Sequence, residues 1–186
     1  MNTWFYSDPH FFHFNIIRYA KRPYSTVEEM NNDLIERYNS RVKPEDSVIF
    51  LGDMFFLRKS EDEIQKCLRV YNSLNGAKKT LIIGNHDKLH NYFPYDIRTK
   101  SLTIQINSED VLLNHYHYRP SDRPEMNRRP LDEGKFLLHG HSHNGIKTKN
   151  RMINVCCDSW NLYPVSITEI SSLIQQIKFS SDKLKI

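Results

Sequence analysis

The chain has 186 residues, of which 39% are hydrophobic, so a single domain with a core of ordinary size is expected over residues 1–186. Its 26 basic and 22 acidic residues leave a net charge of +4, which by itself does not indicate a nucleic-acid-binding protein. No apolar stretch approaches the roughly 20 residues that cross a bilayer. The first residues also lack the basic and apolar regions of a secretory signal, so we expect neither export nor a membrane segment.

The chain has three cysteines, which cannot form a disulfide framework. Cys67 lies on the apolar stripe of a predicted helix, and Cys156 and Cys157 belong to the end of a predicted strand, so core packing is the simplest interpretation. The neighbouring Asp158 leaves a metal site as the alternative for the adjacent pair. Three unpaired thiols favour a reducing compartment, and we expect the protein in the cytoplasm.

Apolar runs of strand length alternate with helical patterns along the chain, which is typical of an α/β fold. Strands are predicted, in chain order, at residues 3–7, 48–51, 80–83, 102–106, 111–114, 136–139 and 152–156, with a further strand and then a helix over 165–178. A short helix is predicted at 14–20, and two longer ones begin behind the capping residues Ser25, Thr26 and Ser60. We expect the helix behind Ser60 to stop at Asn75-Gly76 and the polar tail to fray after about residue 179.

Short clusters of polar side chains follow five of the predicted strands. They are Ser7-Asp8-Pro9-His10, Gly52-Asp53, Gly84-Asn85-His86-Asp87, Asn114-His115 and Gly140-His141-Ser142-His143. Side chains just past the ends of several strands can meet in one crevice, where α/β sheets place their active sites. Carboxylates, imidazoles and an amide oxygen without thiolate suit a pair of divalent ions. The clusters therefore predict a hydrolase that uses two metal ions, with Gly140 allowing the backbone to turn before the last two histidines.

In this order, the five clusters resemble the motifs of the calcineurin-like metallophosphoesterase superfamily: Asp-x-His, Gly-Asp, Gly-Asn-His-Asp/Glu, His and Gly-His-x-His. The resemblance extends over nearly the whole chain and is strongest to compact bacterial and phage-type members without an appended domain. It implies an α/β fold, a metallophosphoesterase-type β-sandwich of two mixed sheets flanked by helices. The second cluster continues as Met54-Phe55-Phe56 instead of the Gly-Asp-x-x-Asp-Arg-Gly of the protein-phosphatase branch, which argues against protein phosphatase activity.

The resemblance also implies a set of metal ligands. One ion would be held by Asp8, His10, Asp53 and His143, and the other by Asp53, Asn85, His115 and His141, with the Asp53 carboxylate bridging the two. Two such ions activate a hydroxide for in-line attack on phosphorus. Mn²⁺ is the expected metal, with Fe, Ni, Co or Zn as alternatives, because oxygen and nitrogen ligands do not by themselves select one metal.

Further histidines and one carboxylate have predicted roles around this set. His86 is expected to donate a proton to the leaving-group oxygen, and Asp87 to orient the His86 ring and raise its pKa. We prefer His115 to His117 as the ligand because it comes sooner after an apolar run. His139 is expected to be buried, since the motif needs only the two histidines that follow it.

Four residues are candidates to contact the substrate: Asn15 and Arg18 after the first cluster, and Arg119 and Arg123 in the basic, polar segment 116–135. The alternatives are a capping and salt-bridging role for Asn15 and Arg18 and a solvated surface for the two arginines of the segment. The expected substrate is a small phosphate ester, preferably a nucleotide-type phosphodiester, because no arginine cluster precedes the fourth polar cluster to clamp a dianion. The alternatives are a phosphomonoesterase and a nuclease or nucleic-acid-end processing enzyme that holds the backbone with segment 116–135. A non-catalytic binding module is a further alternative, which the complete ligand set disfavours.

Overall fold

Ten strands form two mixed five-stranded sheets in the part of the chain that the structure, a computed structural model, describes: residues 1–56, 59–120, 122–123 and 125–183. The strands are β1 Thr3–Tyr6, β2 Ser47–Phe50, β3 Lys78–Ile82, β4 Ile97–Thr99, β5 Ser101–Ile106, β6 Glu109–Asn114, β7 Phe136–His139, β8 Thr148–Lys149, β9 Met152–Asn154 and β10 Val165–Ser166. The first sheet has the order β10-β1-β2-β3-β4, and only β10 is antiparallel to its neighbour. The second has the order β5-β6-β7-β9-β8, with β6, β7 and β9 parallel.

Within these described ranges, four α-helices flank the sheets: α1 Phe14–Tyr19, α2 Val27–Arg41, α3 Glu61–Ser73 and α4 Ile167–Lys183. The two long central helices begin as predicted, because hydroxyl groups satisfy backbone N–H groups that have no partner within the helix. The Thr26 hydroxyl accepts a hydrogen bond from the Glu29 amide at 3.1 Å, and the Glu29 carboxylate accepts one from the Ser25 amide. The Ser60 hydroxyl caps α3 in the same way.

Two buried clusters hold these layers together, one on each face of the first sheet. Neighbouring residues of a strand point to opposite faces. Tyr6 and Leu81 therefore join the cluster formed with α1, α2 and α3, whereas Phe5 and Ile82 join the cluster shared with the second sheet and α4. This layering confirms the predicted α/β sandwich of two mixed sheets flanked by helices.

The topology brings the polar clusters to one edge of the sandwich. β1, β2 and β3 are parallel, so the residues that follow them emerge on the same side of the first sheet. β6 and β7 are parallel in the second sheet and carry two further clusters at their ends. A bridge between Ser7 and Cys156 joins the two sheets at this edge.

Several local predictions differ from the structure. Two strands were missed: β4 has only three residues and a mostly exposed pattern, and β8 has two exposed polar residues, so neither has a periodic apolar signal. β9 ends at Asn154, before the predicted end, because the Asn154 side chain accepts a hydrogen bond from the Cys156 amide and starts a turn. α3 ends at Ser73, ahead of the expected Asn75-Gly76 stop, because the next residue is already extended.

α4 continues through Lys183, past the point where fraying was predicted. Ser121 and Pro124 of the predicted polar segment, and the last three residues of the predicted tail, lie outside the described residues. None of the helices in the described ranges has the length and apolar composition that a bilayer-spanning helix needs.

Candidate metal centre

Four of the predicted ligands have left-handed backbone conformations at the strand ends. The φ angles of Asp8, His10, Asp53 and His141 are 58°, 51°, 54° and 64°. For a residue with a Cβ this conformation costs on the order of 1–2 kcal/mol. Such strain is concentrated at functional sites, where the surrounding structure enforces it.

The close packing of these turns explains two of the glycines. A Cβ atom on Gly84 would lie 2.3 Å from Oδ1 of Asp53, and one on Gly140 would lie 2.2 Å from Oδ2 of Asp8. The prediction that Gly140 supplies the unusual backbone angle is therefore wrong. His141 has the positive φ, and Gly140 is required because the side chains of Ser7 and Asp8 occupy the space of a Cβ.

Asp8, His10 and His143 form the first group of side chains that could hold a metal ion. Oδ1 of Asp8 lies 3.9 Å from Nε2 of His10 and 3.8 Å from Nε2 of His143. Asp8 is fully buried, and within the described ranges its Oδ1 atom accepts no hydrogen bond. A buried carboxylate oxygen without a partner is unfavourable. A divalent cation between these three atoms would satisfy it, so the residues fit the ion that the resemblance implies.

Asp53, His115 and His141 form the second group, and the side chain of Asn85 lies beside it. Nε2 of His115 is 3.1 Å from Oδ1 of Asn85 and 3.4 Å from Oδ2 of Asp53. Nδ1 of His115 donates a hydrogen bond to the carbonyl oxygen of Leu51 at 2.7 Å, which directs Nε2 into the group. The His115 ring is fully buried and lies 5.1 Å from the His141 ring between centroids.

One oxygen atom of Asp53 faces both groups. Its Oδ2 lies 3.7 Å from Nε2 of His10 and 3.4 Å from Nε2 of His115. The other oxygen, Oδ1, accepts a hydrogen bond from the His86 amide at 2.7 Å, which holds the carboxylate in place. This is the arrangement that a carboxylate shared by two ions requires.

The buried charges of the centre shift several pKa values. Burial raises the pKa of Asp8, and burial lowers that of His141 to about 4. Burial would also lower the pKa of His115, but its hydrogen bond with Asp53 and the charge of Asp8 raise it to about 9. The pKa of Asp53 falls below its usual range, mainly through His115 and despite burial. Bound cations would favour the ionised carboxylates and neutral imidazoles that ligation requires.

A buried ion pair between Arg22 and Asp158 contacts His143 of the first group. Nδ1 of His143 lies 2.6 Å from Oδ2 of Asp158, and the Asp158 carboxylate accepts two hydrogen bonds from the Arg22 guanidinium, at 2.8 and 3.0 Å. Arg22 also donates to the carbonyl oxygens of Asp8 and Pro9. These contacts join the first polar cluster to the last. Sequence reasoning missed the roles of Arg22 and Asp158, because residues 136 positions apart leave no local pattern.

Cys156 and Cys157 are buried, as the core interpretation predicts. Sγ of Cys156 lies 3.6 Å from Nδ1 of His143. Cys156, His143 and Asp158 lie close enough to one another for the alternative metal site. However, Nδ1 of His143 and Asp158 already pair with each other at 2.6 Å. Core packing therefore accounts for both thiols.

His86 lies at the mouth of the centre and is exposed. Its ring is 5.2 Å from the His10 ring and 5.6 Å from the Phe56 ring, and Phe56 stacks on His13 at 4.0 Å. Asp87 is buried and has different partners from those predicted. Its carboxylate accepts hydrogen bonds from the backbone amides of Asp53, Met54 and Gly84, so it joins two of the strand-end turns to each other.

His117 and His139, the other two histidines considered in the sequence, lie outside the two ligand groups. His117 is half-buried, pairs with the carbonyl oxygen of Tyr118 and belongs to neither ligand group, in line with the preference for His115. His139 is buried as expected, and burial lowers its pKa to about 4.

The predicted substrate contacts lie outside the two groups. Asn15 and Arg18 are exposed on α1, Arg123 is exposed in the polar segment, and the Arg119 amide donates to the carbonyl oxygen of Pro130. Their contact with substrate stays a prediction. The structure instead brings Tyr116 to the centre, because its hydroxyl donates to Oδ1 of Asn85 at 3.3 Å.

The chain is similar to known proteins over most of its length. The profile of the calcineurin-like phosphoesterase superfamily domain matches residues 1–171. An uncharacterized protein of Methanocaldococcus jannaschii is 35% identical over 179 residues, covering 92% of this chain and 90% of that protein. The gene 66 protein of Mycobacterium phage L5 is 28% identical over 202 residues, covering 95% of each.

A solved structure from Aquifex aeolicus, of a protein of unknown function, superposes with a TM-score of 0.70 at 26% identity, covering 93% of this chain and 99% of that one. The likeness therefore includes the whole two-sheet architecture. The profile match over residues 1–171 includes all five polar clusters, and the relative from M. jannaschii extends over most of the sequence. The chain belongs to the calcineurin-like phosphoesterase superfamily of metal-dependent enzymes and is a phosphoric ester hydrolase.

Proposed function

We propose that this chain is a phosphodiesterase that uses two divalent metal ions to hydrolyse a nucleotide-type substrate. The observation that carries the proposal is the position of Asp53, whose Oδ2 atom faces His10 on one side and His115 on the other. Among the carboxylate, imidazole and amide ligands of this centre, only a carboxylate can serve two ions at once while carrying a compensating negative charge.

The two ions would be held by the two groups described above. Asp8, His10 and His143 would bind one, Asn85, His115 and His141 the other, and Asp53 both. Divalent ions bound there would supply Lewis acidity and a more acidic water for an in-line displacement. Mn²⁺ is the metal that we expect, with Fe, Ni, Co or Zn as alternatives.

His86 is proposed to donate a proton to the leaving-group oxygen. It is exposed at the mouth, beside His10, where a leaving group can depart towards solvent. Its own amide is hydrogen-bonded to the Asp53 carboxylate, so the backbone position of the proton donor is coupled to the metal ligand. Asp87 contributes by holding the Asp53 and Gly84 turns together.

A nucleotide-type substrate is supported by the aromatic surface next to His86. Phe56 is 42% exposed, and its ring stacks on His13 with an angle of 10° between the planes. A flat exposed ring beside a phosphate site is suited to stacking on a nucleobase, which contributes about 1–3 kcal/mol per base.

A panel of esters tests this function. We expect the Mn²⁺-loaded protein to hydrolyse bis(p-nitrophenyl) phosphate at least about tenfold more efficiently than p-nitrophenyl phosphate, and Asp53→Asn to lower that activity by more than about 100-fold. Asp62→Asn, at an exposed site on α3, is the matched control. Preference for the monoester would identify a phosphomonoesterase. No hydrolysis with any of the five metals would favour a binding module.

The cysteines support a cytoplasmic location for this enzyme. Cys67, Cys156 and Cys157 are all unpaired and buried. Proteins that work in oxidising compartments at this size commonly pair their cysteines. Cell fractionation with an antibody tests the location, and recovery from the exported fraction would contradict it.

A further inference from the structure

A cavity of about 540 Å³ adjoins the second ligand group. Three basic side chains line it, Lys88, Lys100 and Arg128, together with Asn85 and Tyr116 from the candidate metal centre. This cavity is called the basic pocket below. Because Asn85 and Tyr116 belong to both, a molecule bound at the centre can extend directly into the pocket.

All the charged side chains that line the basic pocket are positive. Its three cations come from separate parts of the chain, and no aspartate or glutamate is among the lining residues. None of the ion pairs found within the described ranges involves Lys88, Lys100 or Arg128. Three like charges around one cavity repel each other, so their positions suit an anion that is bound between them.

A fourth cation, Arg129, contacts Tyr116, which lines the pocket and donates a hydrogen bond to Asn85 of the metal centre. The guanidinium of Arg129 sits over the Tyr116 ring, 5.6 Å from its centroid, and the same ring lies 4.8 Å from the His141 ring between centroids. Nη1 of Arg129 is buried and, in the part of the chain that the structure describes, has no hydrogen-bond partner. A buried guanidinium N–H group without an acceptor is unfavourable, and an anionic oxygen would satisfy it.

We infer that Arg129 and the basic pocket bind a second phosphate group, next to the one that is cleaved, so that the natural substrate carries at least two phosphates. This inference rests on the proposed function, which puts the scissile phosphate at the metal centre. The second phosphate could come from the backbone of a single-stranded nucleic acid or from a polyphosphate chain between nucleosides. Both present the same anionic oxygens, and their lengths distinguish them experimentally.

The test compares a pocket variant, Lys88→Gln/Lys100→Gln/Arg128→Gln, with a control that loses three exposed cations elsewhere, Lys43→Gln/Lys66→Gln/Arg69→Gln. Three substrates are used: the p-nitrophenyl ester of thymidine 5′-phosphate, a short oligothymidylate and diadenosine tetraphosphate. We expect the pocket variant to lose roughly 10- to 100-fold in kcat/KM on whichever multi-phosphate substrate the wild type prefers. Its loss on the single-phosphate ester should stay below about threefold, and the control should retain activity on all three.

Equal losses on all three substrates, or equal losses in the two triple variants, would overturn the inference. Arg129→Gln provides a second test, since it removes only the Arg129 guanidinium and should also lower efficiency selectively on the multi-phosphate substrate. Preference for oligothymidylate over the tetraphosphate identifies a nucleic-acid backbone as the source of the second phosphate, and the reverse preference identifies a polyphosphate chain.

Measurements of binding test this inference independently of the proposed hydrolytic function. The affinity of the wild type for fluorescein-labelled oligothymidylate should fall with rising salt, and the pocket variant should show a slope that is smaller by about 2, as expected for three lost phosphate contacts on a single strand. Inorganic tripolyphosphate, followed by calorimetry, provides the same comparison for a polyphosphate. If no ester is hydrolysed but binding depends on the pocket, the proposed function fails and the pocket inference stands. If the single-phosphate ester is hydrolysed and the variant binds like wild type, only the pocket inference fails.

Discussion

The imidazole of His143 and the carboxylate of Asp158 form a 2.6 Å hydrogen bond from Nδ1 to Oδ2, in a position where Asp158 is also paired with the buried Arg22. Because the carboxylate accepts, Nδ1 carries the proton and Nε2 is free to face Asp8. A carboxylate behind a histidine in this way fixes the ring orientation and makes the histidine a better ligand. Asp158 therefore acts on the candidate metal centre without being one of the predicted ligands.

Replacing Asp158 by Asn should weaken metal binding at the first group. Outer partners of metal-binding histidines typically contribute 10- to 100-fold in affinity, and we expect a loss of roughly that size for one of two Mn²⁺ ions in calorimetry. Asp132→Asn, which changes an exposed ion pair with Arg151, is the control. An Asp158→Asn protein that binds both ions with wild-type affinity would show that the hydrogen bond from His143 to Asp158 does not contribute to metal binding.

Replacing Arg22 by Gln should destabilise the fold itself. The side chain is almost fully buried and donates to Asp158 and to the carbonyl oxygens of Asp8 and Pro9. Breaking a buried pair leaves its partner uncompensated, and about 3–5 kcal/mol of unfolding free energy should be lost. Arg151→Gln should lose no more than about 1 kcal/mol, because its pair is exposed. Urea unfolding measures both, and similar small losses in the two variants would contradict the assignment.

The metal-free protein should lose stability as the pH rises from about 6.5 to 9. The pKa of His115 is raised from 6.5 to about 9 in the folded chain, so folding favours its protonated form. That contribution is complete below the unfolded pKa and disappears as the pH passes the folded one. It should be on the order of 2–3 kcal/mol.

Urea unfolding in EDTA at pH 6.5 and pH 9 measures this effect, with His115→Gln as the comparison. The variant should lose clearly less stability than the wild type over the same interval, because it lacks the titrating group. Parallel decreases in the two proteins would mean that other groups cause the change.

Replacing His86 by Ala or Asn should lower turnover while the metal content is unchanged. The ring is exposed and belongs to neither ligand group, whereas its backbone amide, which binds Asp53, is retained in both variants. General acid catalysis contributes about 10²–10⁴-fold, so a loss in that range is expected for a diester with a basic leaving group. Loss of metal in the same variants, measured by elemental analysis, would assign His86 to the centre itself.

The candidate ligands at the strand ends were predictable because the apolar run that precedes each of them is a local sequence pattern. Asp8, Asp53, Asn85 and His115 each follow an apolar run closely, and the parallel strands of the two sheets bring such positions together whatever the loops between them contain. The sandwich of two mixed sheets was expected because of the family that the motifs resemble, and the pattern of apolar runs alone indicated no more than an α/β fold. A short strand such as β8 was missed because two exposed polar residues have no periodicity.

The hydrogen bonds that hold the ligands of the centre in place were not predictable, because they join residues that are distant in the sequence. Nothing near Arg22 indicates that it reaches Asp158, and nothing near Asp87 indicates that its carboxylate binds the amides of Asp53 and Met54. The predicted pairing of Asp87 with the His86 ring came from their adjacency. Adjacent residues in a turn need not point the same way, and here the turn buries Asp87 and exposes His86.

The shared carboxylate of Asp53 is the central claim, and electron paramagnetic resonance of the protein with two equivalents of Mn²⁺ tests it most directly. A carboxylate that bridges two Mn²⁺ ions couples their spins, so the wild type should give the multiline spectrum of an exchange-coupled pair. Asp53→Asn should give at most the six-line spectrum of isolated Mn²⁺. A six-line spectrum from the wild type, with both equivalents bound, would contradict the claim that Asp53 joins two ions.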